Sequence, residues 1–191
     1  MRRYQDSTKC GEQERIEDPE CILPNKGGRH SLNPFSRRLV ILLSTGIYSG
    51  YVPLAPGTAG TLVAVPFYWV LSSLSGFFYG ITVLAFLFMS SWLAMAAEDI
   101  FLKRDSCRIV IDEIGGFLVT MAFLPPLPLY VILGFVFFRF FDVTKPFPIK
   151  KLETLGGGYG VVADDVMAGI YSNLALRVCI YLFEGRSILL G

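Results

Sequence analysis

Charge is scarce in this sequence, and where it is missing sets the first constraint. No Asp, Glu, Lys, Arg or His occurs between Leu39 and Ala97, whereas about 20 apolar residues suffice for one membrane span. A second uncharged run extends from Ile114 to Phe138. Of the 191 residues, 53% are apolar and only 17% charged, with a mean hydropathy of +0.53. That balance excludes an ordinary soluble globular domain and implies a chain set in a membrane. The net charge of +1, with no basic stripe among spaced aromatics, argues against a nucleic-acid partner. The four cysteines, Cys10, Cys21, Cys107 and Cys179, include no CxxC pair. They read as reduced, unpaired thiols rather than a disulfide framework or zinc site.

Missing motifs narrow the chemistry further. Without GxxxxGK[ST], ATP hydrolysis has no phosphate cradle. The single histidine, His30, lies in the polar N-terminal stretch, so mechanisms that need a histidine inside the apolar region are excluded. Asp142-Val143-Thr144-Lys145 lacks the second aspartate of an Asp-x-Asp-x-Thr/Val nucleophile motif. The spaced aspartates of metal-dependent phosphatidyltransferases, with their Asp-Gly and Ala-Arg pairs, are absent as well. The N-terminus has mixed charge and no apolar h-region, so a polar, disordered tail over residues 1–38 is expected rather than a cleaved signal.

What is present points to a single all-α domain over residues 39–191, a multi-helix membrane bundle containing helical hairpins. "STGIYSGYVPLAPGTAG" (Ser44–Gly60) is crowded with Gly, Pro, Ser and Thr and is read as a loop. Helices are expected at about Thr61–Leu74, with Pro66 in the first turns, and at Phe77–Ala97, with a break at "SLSG". Two half-length apolar pieces, Ile114–Leu124 and Leu129–Phe141, flank "PPLP" and form either a hairpin or one kinked span. A last helix is expected over Asp164–Phe183. On the hairpin reading each pair of helices returns the chain to the face it left. The acids then gather at one surface together with Arg37, Arg38, Lys103 and Arg104, which the positive-inside rule makes cytoplasmic.

Three acidic clusters stand at the ends of apolar runs: Asp112-Glu113 in "IVIDEIGG", Asp142 in "FRFFDVTKP", and Asp164-Asp165 in "GVVADDVMAG". Charge at membrane depth costs about 2.5–3.5 kcal/mol per residue, so it is generally paired or functional. Adjacent carboxylates repel unless a cation lies between them, and several on one face suit Mg²⁺, which bridges carboxylate to phosphate. Arg139 and Lys145 can hold phosphate oxygens, Arg as a bidentate fork and Lys as a point charge. "APGTAGTL" adds Gly57 and Gly60 for close approach, Thr58 and Thr61 hydroxyls, and a following helix N-terminus. "LGGGYG" leads in the same way toward Asp164-Asp165.

Plainer readings compete with these. Arg139 and Asp142 lie three apart on a helix and can simply neutralise each other. Asp164-Asp165 can serve as acids at a helix start, Asp112-Glu113 as a solvated helix start, and the Thr58/Thr61 loop as turn material. Glu98, Asp99 and Asp105 read as solvated loop charge.

"GYVPLAPGTAGTLVAVP", "DSCRIVIDEIGG", "FRFFDVTKPFPIK" and "GGYGVVADDVMAGIY", in that order from about Gly46 to Tyr171, resemble the phosphatidylglycerophosphatase A family. The resemblance implies a multi-helix membrane enzyme of the bacterial cytoplasmic (inner) membrane. It would be Mg²⁺-dependent and hydrolyse phosphatidylglycerophosphate to phosphatidylglycerol and inorganic phosphate. Matched motif by motif, it points to Asp112, Glu113, Asp142, Lys145, Asp164 and Asp165 as catalytic, with the five acids as metal ligands. Gly57, Thr58, Thr61, Arg139 and Lys145 fall to the phosphate. Glu153 stands where the family often has aspartate and is left out. Two other classes stay open at this stage: a membrane transporter or ion-handling module using buried carboxylates, and a phosphatase for phosphatidate or another lipid phosphate.

Overall fold

A computed structural model describes residues 33–101, 106–149 and 158–189. Most of the N-terminal tail, with Cys10, Cys21 and His30, lies outside them, as do Lys103, Arg104, Asp105, Glu153 and Leu155–Gly157. Among the described residues there are six α-helices and no strand: α1 Pro34–Ser44, α2 Pro56–Leu71, α3 Gly76–Phe101, α4 Ile111–Thr120, α5 Pro128–Thr144 and α6 Gly158–Leu189. A 3-10 turn, Ser49–Tyr51, precedes α2. The expected all-α architecture is what the chain adopts.

Two helices are long and apolar enough to cross a membrane, Gly76–Phe101 and the stretch Val162–Phe183 of α6. At 1.5 Å per residue they reach about 39 and 33 Å, against about 30 Å of hydrocarbon. Only 33% and 22% of their most apolar windows are buried inside the protein, the reverse of a soluble core helix. Phe77, Phe78, Ile81, Leu84, Phe88 and Trp92 on α3 all face outward. In water this surface would be an extreme apolar patch; in lipid it is an ordinary exterior.

The short helix α4 is the centre of the bundle. Eight of its ten residues are buried, and α2, α3, α5 and α6 all pack around it. Its core contacts run through Phe117, Leu118, Phe138, Ala168 and Leu176. α1 packs instead on the second half of α3, with Val40 against Leu93, Ala94, Ala97 and Ile100.

Several boundaries differ from expectation. The Ser44–Gly60 segment is not all loop: α2 begins at Pro56, where proline's fixed φ suits the first helical turn. Pro66 consequently lies inside α2 rather than in its first turns, where the chain still remains helical. α3 continues through Glu98 and Asp99 to Phe101, so these acids are helical, not loop, charges. α6 starts at Gly158, which makes Gly158–Gly160 helix and places Asp164-Asp165 well inside it rather than at its start. The macrodipole explanation for that pair therefore fails. α4 and α5 form a hairpin, not one kinked span, since Glu113 on α4 and Arg139 on α5 meet at the same glycine, Gly57. Cys107 is disulfide-bonded, contrary to the expectation of four unpaired thiols, whereas Cys179 is free.

Candidate active site

Two close backbone approaches assemble the site. At the crossing of α4 and α6, a methyl on Gly116 would lie 2.8 Å from the Asp165 carbonyl oxygen. A methyl on Gly169 would run into the Gly116 carbonyl. Only glycines let these helices come this close, the small-residue packing typical of helices in lipid. The first turn of α4, with Asp112 and Glu113, is thereby set beside Asp165. At the start of α2, a methyl on Gly57 would lie 2.5 Å from Glu113 Oε1 and 2.9 Å from Arg139 Nη1. Backbone thus forms the wall there.

Asp112, Glu113 and Asp165 each offer a carboxylate oxygen, and those three atoms lie within 4.8 Å of one another. Asp112 and Asp165 are buried, at 6% and 5% exposure. Asp112 Oδ1 accepts the Glu113 N–H at 3.1 Å. Glu113 Oε2 is buried with no hydrogen-bond partner. Burial first, then the Asp165 carboxylate, push the Glu113 acid up to about 8, against the opposing pull of its hydrogen bond with Asp112. Three crowded carboxylates with an orphaned, buried oxygen are what a hard divalent cation accommodates. The donor set is all oxygen, which fits Mg²⁺ rather than a softer metal.

The remaining expected residues form a second ring. Arg139 Nη1 approaches Asp142 Oδ2 to 2.7 Å, yet off the hydrogen-bond direction, so this buried nitrogen also lacks an aligned partner. Asp142 in turn lies close enough to the Asp165 carboxylate for the two charges to repel each other. Lys145 ends α5 in the left-handed region, at φ 41, and its Nζ donates to Asp164 Oδ2 at 2.8 Å. Asp164 Oδ1 accepts the Asp165 N–H at 3.1 Å. So of the five acids expected to share an ion, the structure draws three together and sets Asp142 and Asp164 against basic side chains. Thr58 is half-buried at the start of α2. Thr61 is fully buried and donates its hydroxyl to the Gly57 carbonyl at 2.8 Å, which turns that group into its own helix.

The fold and the cluster together define a helical, membrane-type protein with a convergent carboxylate centre flanked by Arg and Lys. The family model of phosphatidylglycerophosphatase A matches residues 42–180. Phosphatidylglycerophosphatase A of Escherichia coli K12 is 36% identical over 133 residues, 69% of this chain and 77% of that protein. Its namesake from Haemophilus influenzae is 37% identical over 149 residues, 76% and 88% of the two chains. A Bacteroides thetaiotaomicron protein, provisionally named a phosphatidylinositol-3-phosphatase, is 36% identical over 156 residues, 73% and 92%. No solved structure matches. The chain belongs to the phosphatidylglycerophosphatase A family and is an enzyme of the phosphatase class, which sets the transporter reading aside.

One charged residue escaped the sequence reading altogether. Arg177 lies on α6 deep in the apolar stretch Val162–Phe183, and a lone arginine in such a run was signal enough to single it out.

Proposed function

We propose that this protein hydrolyses phosphatidylglycerophosphate to phosphatidylglycerol and inorganic phosphate, with Mg²⁺, at the cytoplasmic face of a bacterial inner membrane that it crosses more than once. The observation that carries the reading is the three-carboxylate cluster with its orphaned Glu113 oxygen beside Arg139. Asp112, Glu113 and Asp165 would hold the cation, with Asp142 and Asp164 close behind. The bound ion would supply charge neutralisation and polarisation of the phosphate.

The protein's own residues do the rest. Arg139, with a buried Nη1 lacking an aligned acceptor, offers a fork to the phosphate oxygens. Lys145 adds a second positive charge from the end of α5. The wall at Gly57 admits the phosphate close to backbone. A carboxylate of the cluster takes a proton from the attacking water as its oxygen bonds to phosphorus. The P–O bond to the glycerol carbon chain breaks, and the departing oxygen takes up the proton the carboxylate received from water, becoming the free hydroxyl of phosphatidylglycerol. An aspartyl-phosphate route through Asp164 or Asp165 is the variant of this chemistry. The outward-facing phenylalanines keep the cluster at headgroup depth among acyl chains.

The test is inorganic phosphate release from phosphatidylglycerophosphate, phosphatidate and phosphatidylinositol 3-phosphate, each with Mg²⁺ and with chelator. Release from the first alone, abolished by chelation and restored by Mg²⁺, is the expected result. Preference for the inositol lipid would transfer the reading to the activity named for the Bacteroides relative. Release unaffected by chelation would remove the metal from it.

A further inference from the structure

The acid cluster is one end of a longer pattern. Asp112 lies with Asp165 in the carboxylate cluster, Gly116 crosses Gly169, and the Thr120 carbonyl accepts from Asn173 Nδ2 at 2.7 Å. The three positions on α4 are four apart, as are the three on α6, so the same helix faces meet at each. These two helices run parallel in one fixed register, and the acids form its first rung.

The last rung is built from unusual material. α4 has only ten residues, about 15 Å of helix, so with its acids at the surface it stops about halfway through the hydrocarbon. A helix end there must find donors within the protein. Each carbonyl from Phe117 to Leu124 has one. Met121, Ala122 and Leu124 N–H groups serve Phe117, Val119 and Met121. The Tyr79 hydroxyl serves Leu118 at 2.7 Å, and the Tyr68 hydroxyl serves Leu124 at 2.9 Å. Asn173 Nδ2 donates to both Thr120 and Ala122, at 2.7 and 3.0 Å. Arg177 Nε donates to Asn173 Oδ1 at 2.8 Å, and its Nη2 to Ala122 and Phe123 at 3.1 and 3.4 Å. The Arg177 charge, placed about 18 Å along α6 from Asp165, thus binds backbone dipoles rather than a carboxylate among the described residues.

We propose that Asn173 and Arg177 are positioning residues: together they clamp the carbonyl end of α4 to α6 and so hold Asp112 and Glu113 level with Asp165. Slippage by one residue would rotate the acids away from each other, because neighbouring positions on a helix do not share a face. This rests on the proposed cation site for both readouts, and on the phosphatidylglycerophosphate reading for the activity readout alone.

The test compares wild type with Asn173→Leu, Asn173→Ser, Arg177→Met and Arg177→Lys, purified in detergent. Mn²⁺ affinity is read by electron paramagnetic resonance, alongside kcat and KM for the dispersed lipid. Asn173→Leu and Arg177→Met are expected to bind Mn²⁺ about tenfold or more weakly and to lose about ten- to a hundredfold in kcat, with KM nearly unchanged, as misplacement of catalytic groups predicts. Arg177→Lys, which retains donors, should recover most of both. Should Asn173→Leu fail to fold, Asn173→Ser, with its shorter hydroxyl donor, decides on the same readouts. Folded variants with wild-type Mn²⁺ affinity and kcat overturn the proposal while leaving the functional reading intact. Weakened Mn²⁺ binding in variants of an enzyme inactive on the phosphoglycerol lipid would support the clamp and sink the substrate assignment.

Discussion

At one end of α4, every carbonyl from Phe117 to Leu124 meets a donor, several of them side chains drawn from α2, α3 and α6. At the other end, Glu113 Oε2 is buried with none, and Arg139 Nη1 beside it has no aligned acceptor. The same ten-residue helix therefore carries a saturated terminus and an unsatisfied one. Buried polar atoms without partners cost about 1–3 kcal/mol each, and a fold that satisfies one terminus so thoroughly could satisfy both. That the exception falls among carboxylates and an arginine is what supports our proposal that a ligand completes the bonding there.

The sharpest way to break this contrast is Asp165→Asn. It removes a charge from the open end, and turnover should fall beyond about a thousandfold, with an unchanged unfolding midpoint in detergent; wild-type phosphate release would take Asp165 out of the site. Gly57→Ala should come next. Its methyl would press on Glu113 Oε1 at 2.5 Å, and a loss of about ten- to a hundredfold in kcat is expected from the displaced acid. Equal kcat in the two proteins would mean that the wall at Gly57 is not part of the reaction. Gly169→Ala tests the crossing that joins the two ends: overpacking should destabilise by about 1–3 kcal/mol, measured by thermal unfolding, and reduce kcat in parallel. The smallest effect belongs to Tyr68→Phe at the saturated end. Leu124 lies beyond α4, so losing that hydroxyl should cost about 1 kcal/mol of stability with kcat within about twofold. A large drop in kcat there would show that the turn after α4, and not only its register with α6, governs the acids.

Much of this was legible in the sequence. The charge-free runs gave the helical membrane class, and the prolines of "PPLP" gave the break between two half-length pieces, because neither depends on long-range packing. Hairpin or kinked span was decided only by the meeting of Glu113 and Arg139 at Gly57. Asp112, Glu113 and Asp165 were legible as acids in the wrong solvent. What could not be read was which acids converge. Asp142 and Asp164 are as exceptional in sequence as the other three; the Arg139–Asp142 pair was legible in its three-residue spacing, but only the fold sets Asp164 against Lys145. Gly57–Gly60 reads as loop by composition, but close packing against Glu113 and Val110 turns those glycines into helix. Asn173 and Arg177 gain their meaning from carbonyls some fifty residues away, a relation that no local pattern carries.

The crowding of phenol, amide and guanidinium groups around the end of α4 has a consequence for solvation. With each carbonyl from Phe117 to Leu124 already engaged, a helix of ten residues can stop among apolar neighbours without drawing water to its end.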